Sequence, residues 1–287
     1  FELQLLDAKD SSELEPLLSE QIEGAIFDPS RDQANPFYVC NGYARAAVRL
    51  GAQIRTHTPV QSVKRHGDRV TGVVTEEGEI SAPVVINAAG SWAPELCKTV
   101  GVSVPIKPTK GHVMVTEPMP RTWKHTIFYI EGLYPRFNAG IMEYQRIPDP
   151  GAEPASSTVG LKYYGRQGPD GKLYLGGGYE EEGTNKSCCE RDMREIALDF
   201  GRIFPALKGL NIIRAWTGLI PNSKDGLPVV GKVPGLEGFI MAAGHCGYGF
   251  SAAPMTGKLV AELVSGEPPS INSNELNIAR FQRPGQE

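Results

Sequence analysis

"AAGHCGYGFSAAPMTGKLVAEL", residues 242–263, decides how the rest of the chain is read. Four of its first eight residues, Gly244, Cys246, Gly247 and Gly249, are Gly or Cys, and the residues after them read as a helix opening on Pro254. The apolar run "GFIMAAG" (238–244) feeds this bend as a strand would. A glycine-rich bend between a buried strand and a helix lets a ligand approach bare backbone. Glycine has no Cβ and accepts positive φ. The helix start adds unpaired N–H groups and a partial positive charge. Proline suits the first helical position, where a missing N–H costs nothing. Such a site favours an anionic or electron-rich ligand edge. A phosphate-cradling P-loop would need Gly-Lys-Ser/Thr at the bend. Here Gly257-Lys258 falls inside the helix. A purely structural tight turn remains the competing reading, and the bend alone does not separate the two.

Composition narrows the classes. The 287 residues are 40% hydrophobic and 22% charged, ordinary for globular proteins of one large or two average domains. A net charge of −4 argues against a nucleic-acid surface, which would be basic. No apolar run approaches the roughly 18 residues of a membrane span, and no signal peptide opens the chain. The five cysteines, Cys40, Cys97, Cys188, Cys189 and Cys246, lack C-x-x-C spacing and read as reduced thiols of a cytoplasmic protein. The five histidines form no metal-ligand cluster, so no metal is expected.

Working outward along the chain, residues 1–20 read as an apolar strand and an acidic helix capped by Ser11 and Ser12. "NGYARAAVRL" (41–50) predicts a helix with Tyr43, Ala46, Ala47 and Leu50 on one face and Gly51 as its stop. "AQIRTHT" (52–58) alternates as a strand does. Two strands around Gly67-Asp68 and a third after Glu77-Gly78 come next. "APVVINAAG" (82–90) is continuously apolar, as for a strand buried on both faces. "SWAPELCKTVG" then reads as a helix with Ser91 at the N-cap and Pro94 in the first turn. From Pro105 to Ile213 the chain is rich in Pro, Gly and Tyr. Short β segments predict an antiparallel layer there, with a loop at 146–157 and a helix over 188–204.

Taken together, "VVINAAGSWAPEL" (84–96), "GRQGPDGKLYLGGGYE" (165–180), "TGLIPNSKDGLPVVG" (217–231) and the 238–263 stretch resemble the D-amino-acid oxidase family of flavoproteins. The likeness is strongest to its branch of glycine oxidases, sarcosine oxidases and amino-acid dehydrogenase β-subunits, which includes cyanide-producing glycine dehydrogenases. It extends over nearly the whole chain, "LDAKDSSELEPLL" and "NPFYVCNGYARAAVRLGAQI" included. The resemblance implies an α/β (α+β) fold: a truncated Rossmann-like FAD-binding domain plus a mainly antiparallel β substrate domain. Residues 1–32 would connect to the substrate domain and 33–104 form the first part of the FAD domain. Residues 105–213 would be the substrate domain and 214–287 the FAD domain's C-terminal part.

The resemblance also implies a site. In the family the flavin lies between the two domains. Ala88, Ala89, Gly90 and Trp92 would line the FAD cleft. Gly244, His245, Cys246, Gly247, Tyr248, Gly249 and Phe250 would cover the flavin edge, and Val60 would lie near the adenine half. A helix N-terminus aimed at the flavin would stabilise the negative charge of its reduced form. Some relatives attach FAD through a Cys at the position that aligns with Gly218, so non-covalent FAD is expected here. The family's reaction oxidises a C–N bond by hydride transfer from the substrate's α-carbon to flavin N5, with positioning as the protein's main task. Glycine, sarcosine, proline-type and D-amino acids all remain open as substrates.

Relatives that hold the substrate carboxylate from the flavin-edge loop carry a basic residue there, and this chain has Gly247, Tyr248 and Ser251. Candidate anchors are Arg136, Arg146 and Arg166, near Tyr134, Tyr163 and Tyr164, since an Arg fork with a Tyr hydroxyl suits a carboxylate. Each Arg reads equally as a surface charge or a structural pair. Arg166, Tyr164, Arg136 and Tyr248 are the catalytic candidates. Tyr248 either closes the pocket over N5 or packs on the ring, while His245 reads as a structural hydrogen-bonder.

The family's G-x-G-x-x-G fingerprint is missing, and "GGGYEEEG" (176–183) lacks its spacing. The expectation is a proteolytic or expressed fragment of a longer flavoprotein that by itself binds FAD weakly or not at all and is inactive. The alternative is a flavin-free assembly subunit of the same fold. A partner subunit or electron acceptor is left open by either reading.

Overall fold

The computed structural model describes residues 3–30, 32–129, 133–138, 141–146, 163–180 and 183–282; of these, 129, 133–138, 141–146, 179, 180 and 282 are described by backbone alone. Two compact units emerge. Unit 1 comprises 1–33, 110–180 and 185–218, and unit 2 comprises 34–109, 181–184 and 219–287. The expected loop at 146–157 lies outside the described residues except for Arg146 at its start.

The chain opens with β1 (Gln4–Asp7), α1 (Ala8–Leu14) and β2 (Gly24–Phe27), the two strands pairing antiparallel. Asp7, not Ser11 or Ser12, caps α1: its carboxylate accepts the Asp10 N–H at 2.8 Å. Ser11 and Ser12 lie inside the helix and bond back to the carbonyls of Asp7 and Ala8. A carboxylate one residue ahead of the helix wins over two hydroxyls that can reach i−4 carbonyls instead.

α2 (Pro36–Arg49) starts five residues before the expected Asn41, because Asn35 accepts from Phe37 N and Tyr38 N and Pro36 occupies the first turn. Gly51, at φ +96°, stops it as expected. No residue of α2 is buried, and Leu50, placed on the expected inner face, is 90% exposed. The expected strand at 52–58 is absent. Alternation without a partner strand leaves its backbone unpaired, and no ladder forms. β3 (Val60–His66), β4 (Arg69–Thr75) and β5 (Gly78–Ser81) form the predicted three-stranded antiparallel sheet. Gly72 is obligatory in it: a Cβ there would lie 2.1 Å from the Ile80 carbonyl oxygen.

β6 (Val85–Asn87), a single 3₁₀ turn (Gly90–Trp92) and α3 (Ala93–Lys98) come next. β7 (Ile106–Pro118), β8 (Ile127–Tyr129), β9 (Leu133–Asn138), β10 (Ile141–Arg146), β11 (Tyr163–Gln167) and β12 (Lys172–Glu180) make up the antiparallel texture. Then come α4 (Glu190–Ile203), β13 (Ile212–Ser223), β14 (Val229–Lys232), β15 (Phe239–Ala243) and α5 (Gly249–Ser265).

Unit 1 is built on a five-stranded sheet in the order β13-β7-β12-β11-β8, with β9 and β10 paired as a separate ribbon. One face buries Met114, Tyr163, Leu173 and Leu175 against Ile196, Phe200 and Ile203 of α4 and against Trp123 and Phe204. The α4 residues recur at the spacing of one helix face, which is why its sequence predicted it. The Trp123 and Phe204 rings lie 4.2 Å apart with a tilt of 33°, and Gly165 is required beneath Trp123 and Phe200, since a Cβ would lie 2.7 Å from the indole and 2.9 Å from the Phe200 ring.

In unit 2 the sheet β14-β15-β6 combines an antiparallel and a parallel pair. β15 is buried on both faces. Phe239, Met241 and Ala243 face a core with Val63, Val70, Cys97 and Val229, whereas Ile240 packs with Val230, Leu259 and Val260 under α5. The both-faces expectation placed on 82–90 therefore belongs to β15. β6 is the edge strand, and its Ile86 is 44% exposed.

Candidate functional site

Strands β6 and β15 run parallel in register, Val85 beside Phe239, Ile86 beside Ile240 and Asn87 beside Met241. Parallel neighbours end at the same side of a sheet, so the turn 88–92 into α3 and the turn 244–248 into α5 emerge side by side. Ligands of open α/β sheets bind in the crevice beyond such carboxyl ends.

The first turn is tied from below by a residue that sequence reasoning passed over. Asn87, almost fully buried, donates from Nδ2 to the Ala93 carbonyl at 2.9 Å and accepts from Ala89 N at 3.2 Å. Its amide also reaches Cys97 Sγ at 3.4 Å. An Asn ending an apolar strand was the visible signal. Gly90 adopts φ +54°, and a Cβ on it would meet nothing within 4 Å, so the conformation and not crowding calls for glycine. Ser91 does not cap α3: the cap position is Trp92, no side chain caps the helix, and Ser91 lies within the 3₁₀ turn. Pro94 lies in the first turn of α3, as expected.

The second turn is bent at three positive φ sites, Gly244 (+74°), Cys246 (+51°) and Gly247 (+85°), with His245 between the first two. A left-handed conformation at a residue with a Cβ costs about 1–2 kcal/mol. At Cys246 the thiol contacts offset it: Sγ lies 3.3 Å from Ser223 N, Ser223 Oγ and the Gly244 carbonyl. The Cys246 N–H donates to the Pro221 carbonyl at 3.1 Å. Cys246 is thus the clamp that fixes the turn to the end of β13. Beside Gly247 a Cβ would meet only Ile220 Cγ2, at 3.9 Å, so both turns leave open space next to a glycine.

α5 opens at Gly249 with Tyr248 at its N-cap, and Pro254 lies inside it. The expectation that Pro254 begins the helix is therefore corrected. Tyr248 N donates to the His245 carbonyl and Ala252 N to the Tyr248 carbonyl, so helical bonding starts before the proline. The first turn of α5 still presents its N–H groups at residues 249–250. Tyr248 is 68% exposed, and Trp92, Phe250 and Ile86 are also partly open to solvent.

His245 Nε2 lies 3.0 Å from Thr256 Oγ1 and ties the turn to α5. Burial pushes its pKa below the ordinary histidine value. Because the unfolded chain binds this proton more readily, the stability contributed by neutral His245 is full above the unfolded pKa, near 6.5. It is lost as pH falls from there toward the folded pKa. Melting temperatures measured from about pH 8 to about pH 5 are expected to drop more for the wild type than for His245→Gln; equal slopes would count against this.

The other expected residues are dispersed. Val60 begins β3 in another sheet and Gly218 lies within β13; neither belongs to the two turns. Arg136, Arg146 and Tyr134 lie in the β9–β10 ribbon, with side chains outside the described residues. Tyr163 points into the unit 1 core. Tyr164 and Arg166, two apart on β11, share the opposite face of the sheet with their cross-strand partners Phe128, Gly176 and Tyr174. The Tyr164 ring lies across Gly176, where a Cβ would come within 2.2 Å of Cε1. Burial raises the Tyr164 pKa, with the charge of Arg166 opposing the rise. Arg166 Cζ sits 5.4 Å from the Tyr174 centroid, and no carboxylate among the described residues pairs with it. A half-buried guanidinium beside a phenol has the donors that a carboxylate would need.

Among the described residues no group of three His, Cys, Asp or Glu side chains could hold a metal, and no helix is long and apolar enough to cross a membrane.

Residues 1–263 match the family described as FAD dependent oxidoreductase, DAO. Hydrogen cyanide synthase subunit HcnC of Pseudomonas aeruginosa is 30% identical over 98% of this chain and 60% of its own length. Glycine oxidase of Bacillus subtilis is 29% identical over 94% of this chain and 64% of its own. This chain thus spans less than two thirds of these relatives. L-proline dehydrogenase from P. horikoshii superposes with a TM-score of 0.81 at 27% identity, covering 98% of this chain and 69% of that one. Glycine oxidase from Geobacillus kaustophilus shares the fold at the same TM-score. With its parallel β6–β15 pair, its glycine-bent turns and this match over most of its length, the chain belongs to the DAO family of FAD-dependent oxidoreductases.

Proposed function

We propose that this chain is part of a flavoenzyme that oxidises the C–N bond of a small amino acid or secondary amine, with unit 2 holding FAD and unit 1 the substrate. The observation that carries the reading is the pair of glycine-bent turns at the same end of β6 and β15, both open to a flat ligand. The residues present fit a flavin there. Space adjoins Gly90 and Gly247, exposed Trp92, Tyr248 and Phe250 offer aromatic surface, and the start of α5 offers N–H groups. Bound FAD would supply the two-electron acceptor.

In this reading the α5 N-terminus places a fixed positive end where an anionic ring edge is favoured. Cys246 keeps that end in place through Ser223. Its thiol is occupied by these contacts, which supports non-covalent FAD. Arg166 and Tyr164 hold the substrate carboxylate. The names of the relatives, glycine oxidase, HcnC and L-proline dehydrogenase, support a small amino acid and leave glycine, sarcosine, proline-type and D-amino acids as the panel to test.

The test has two stages. Titrating FAD is expected to change flavin fluorescence and absorbance saturably in the longest natural form, and weakly or not at all in this chain alone. Dye-coupled turnover by the longest natural form against glycine, sarcosine, proline and D-amino acids then identifies the substrate. Absence of saturable binding in both forms would overturn the flavoenzyme reading. That result would favour a flavin-free assembly subunit, for which one observation speaks: α2 exposes Phe37, Tyr38, Tyr43, Val48 and Leu50, a surface suited to a partner.

A further inference from the structure

We infer that Arg280 is a positioning residue of the crevice: through Asp225 and Ser223 it holds Cys246, and with it the 244–248 turn, in the shape that receives the flavin. Its place in the crevice rests on the flavin reading above. Arg280 lies in a short 3₁₀ turn (Ile278–Gln282), beyond residue 263 where the family match ends, so its role is read from the structure alone.

The guanidinium is fully engaged. Its Nε and Nη2 grip the two oxygens of Asp225 at 2.6 and 3.0 Å, the two-pronged geometry in which arginine holds a carboxylate most firmly. Nη2 also donates to the Leu227 carbonyl at 2.8 Å, and Nη1 to the carbonyls of Leu276 and Asn277 at 2.8 and 3.4 Å. All five N–H bonds of a guanidinium thus have an acceptor. The Arg280 side chain is 11% exposed, so water and salt screen the pair only in part. Arg280 holds the Asp225 carboxyl below the usual carboxylate range, which keeps the pair charged at neutral pH.

The segment gripped by this fork is the one that touches the flavin-edge turn. Ser223, 7% exposed, donates from Oγ to the same Leu227 carbonyl at 2.7 Å and lies 3.2 Å from the same Asp225 carboxylate. On its other side Ser223 meets Cys246 Sγ with both N and Oγ, each at 3.3 Å. Without the fork, the two acceptors that fix the Ser223 hydroxyl lose the cation that fixes them. Cys246 is then free to leave φ +51°, a conformation that a residue with a Cβ keeps only when its surroundings impose it.

A residue that acts on one turn has a different signature from one that holds the whole unit. Cys97, fully buried in the unit 2 core, supplies an internal reference for opening of the whole unit. In the longest natural form, freed of flavin, the alkylation rate of each cysteine should be followed by peptide mass spectrometry in the wild type, Arg280→Met and Arg280→Lys. Cys246 is expected to label about tenfold faster in Arg280→Met, the effect of losing roughly one charge-assisted hydrogen bond, with the Cys97 rate unchanged. FAD binding, measured by fluorescence titration, should weaken by about the same factor. Arg280→Lys keeps the charge without the fork and should fall between the two.

Unchanged labelling of Cys246 would overturn the inference. So would equal acceleration at Cys97, or failure of both variants to fold, since Arg280 would then serve the whole unit. Faster labelling of Cys246 with wild-type FAD affinity would also overturn it, while leaving the flavin reading intact. A wild type that binds no flavin would overturn both.

Discussion

Asn87→Leu should lower the unfolding free energy by about 2–4 kcal/mol, because two backbone groups lose the same partner in a buried place. Leucine approximates the shape of asparagine, so the loss chiefly reports hydrogen bonds. The Ala93 carbonyl, held at 2.9 Å, and the Ala89 N–H, held at 3.2 Å, would both be left without the amide. Asn87→Asp should be worse. A carboxylate can still accept from Ala89 N, but its second oxygen would face the Ala93 carbonyl oxygen, and a buried charge is itself costly. Urea unfolding of the two variants and the wild type checks both points. The wild type should have the highest midpoint and Asp the lowest, and a cost below about 0.5 kcal/mol for Leu would refute the role given to this amide. FAD affinity should fall in both, since the amide sets the shape of the 88–92 turn.

That Asn87 escapes notice while its neighbours stand out shows where one sequence stops being legible. Patterns that depend on local rules are readable. The turns at Gly67-Asp68 and Gly78 announce the β3–β4–β5 sheet, the apolar spacing of Ile196, Phe200 and Ile203 announces α4, and the continuous apolar run 239–243 announces the central strand. Patterns that depend on partners are not. "AQIRTHT" alternates but forms no strand, and 85–87 looks as apolar as 239–243 yet takes the edge, since strand position is decided by distant segments. α2 reads as amphipathic although nothing described covers its apolar face.

Within the site, glycines mark the turns, but the residues that hold them do not stand out. Cys246 looks like small filler, and only its positive φ and its contacts with Ser223 reveal a clamp. Pro254 suggests the helix start because proline favours the first turn, but helical bonding already begins at Tyr248 and Gly249, and the helix runs past the proline with that one donor missing.

The largest catalytic effect is expected from Arg166→Met, which should reduce kcat/KM for the best amino-acid substrate about 30- to 100-fold, mostly through KM. Arg166 faces out from β11 beside Tyr164, lies on the Tyr174 ring and has no carboxylate partner among the described residues. A charge-assisted hydrogen bond to a carboxylate is worth about 1.5–3 kcal/mol, and holding the substrate equally in ground and transition states lowers KM without changing kcat. Methionine keeps much of the aliphatic length and should cost little stability, since the cation–π contact of a half-buried guanidinium contributes about 1 kcal/mol. Arg166→Lys should recover part of the loss, because an ammonium supplies the charge without the fork.

Gly176→Ala offers an independent test that leaves Arg166 and Tyr164 chemically intact. A Cβ at 176 would fall 2.2 Å from Tyr164 Cε1 and 2.6 Å from its hydroxyl oxygen, so the phenol must move off the sheet. If both side chains grip the carboxylate, this variant also raises KM while unit 1 stays folded. A kcat/KM for Arg166→Met within about threefold of the wild type, a difference of under 1 kcal/mol, would remove this sheet face from the substrate site and return the anchor to Arg136 or Arg146.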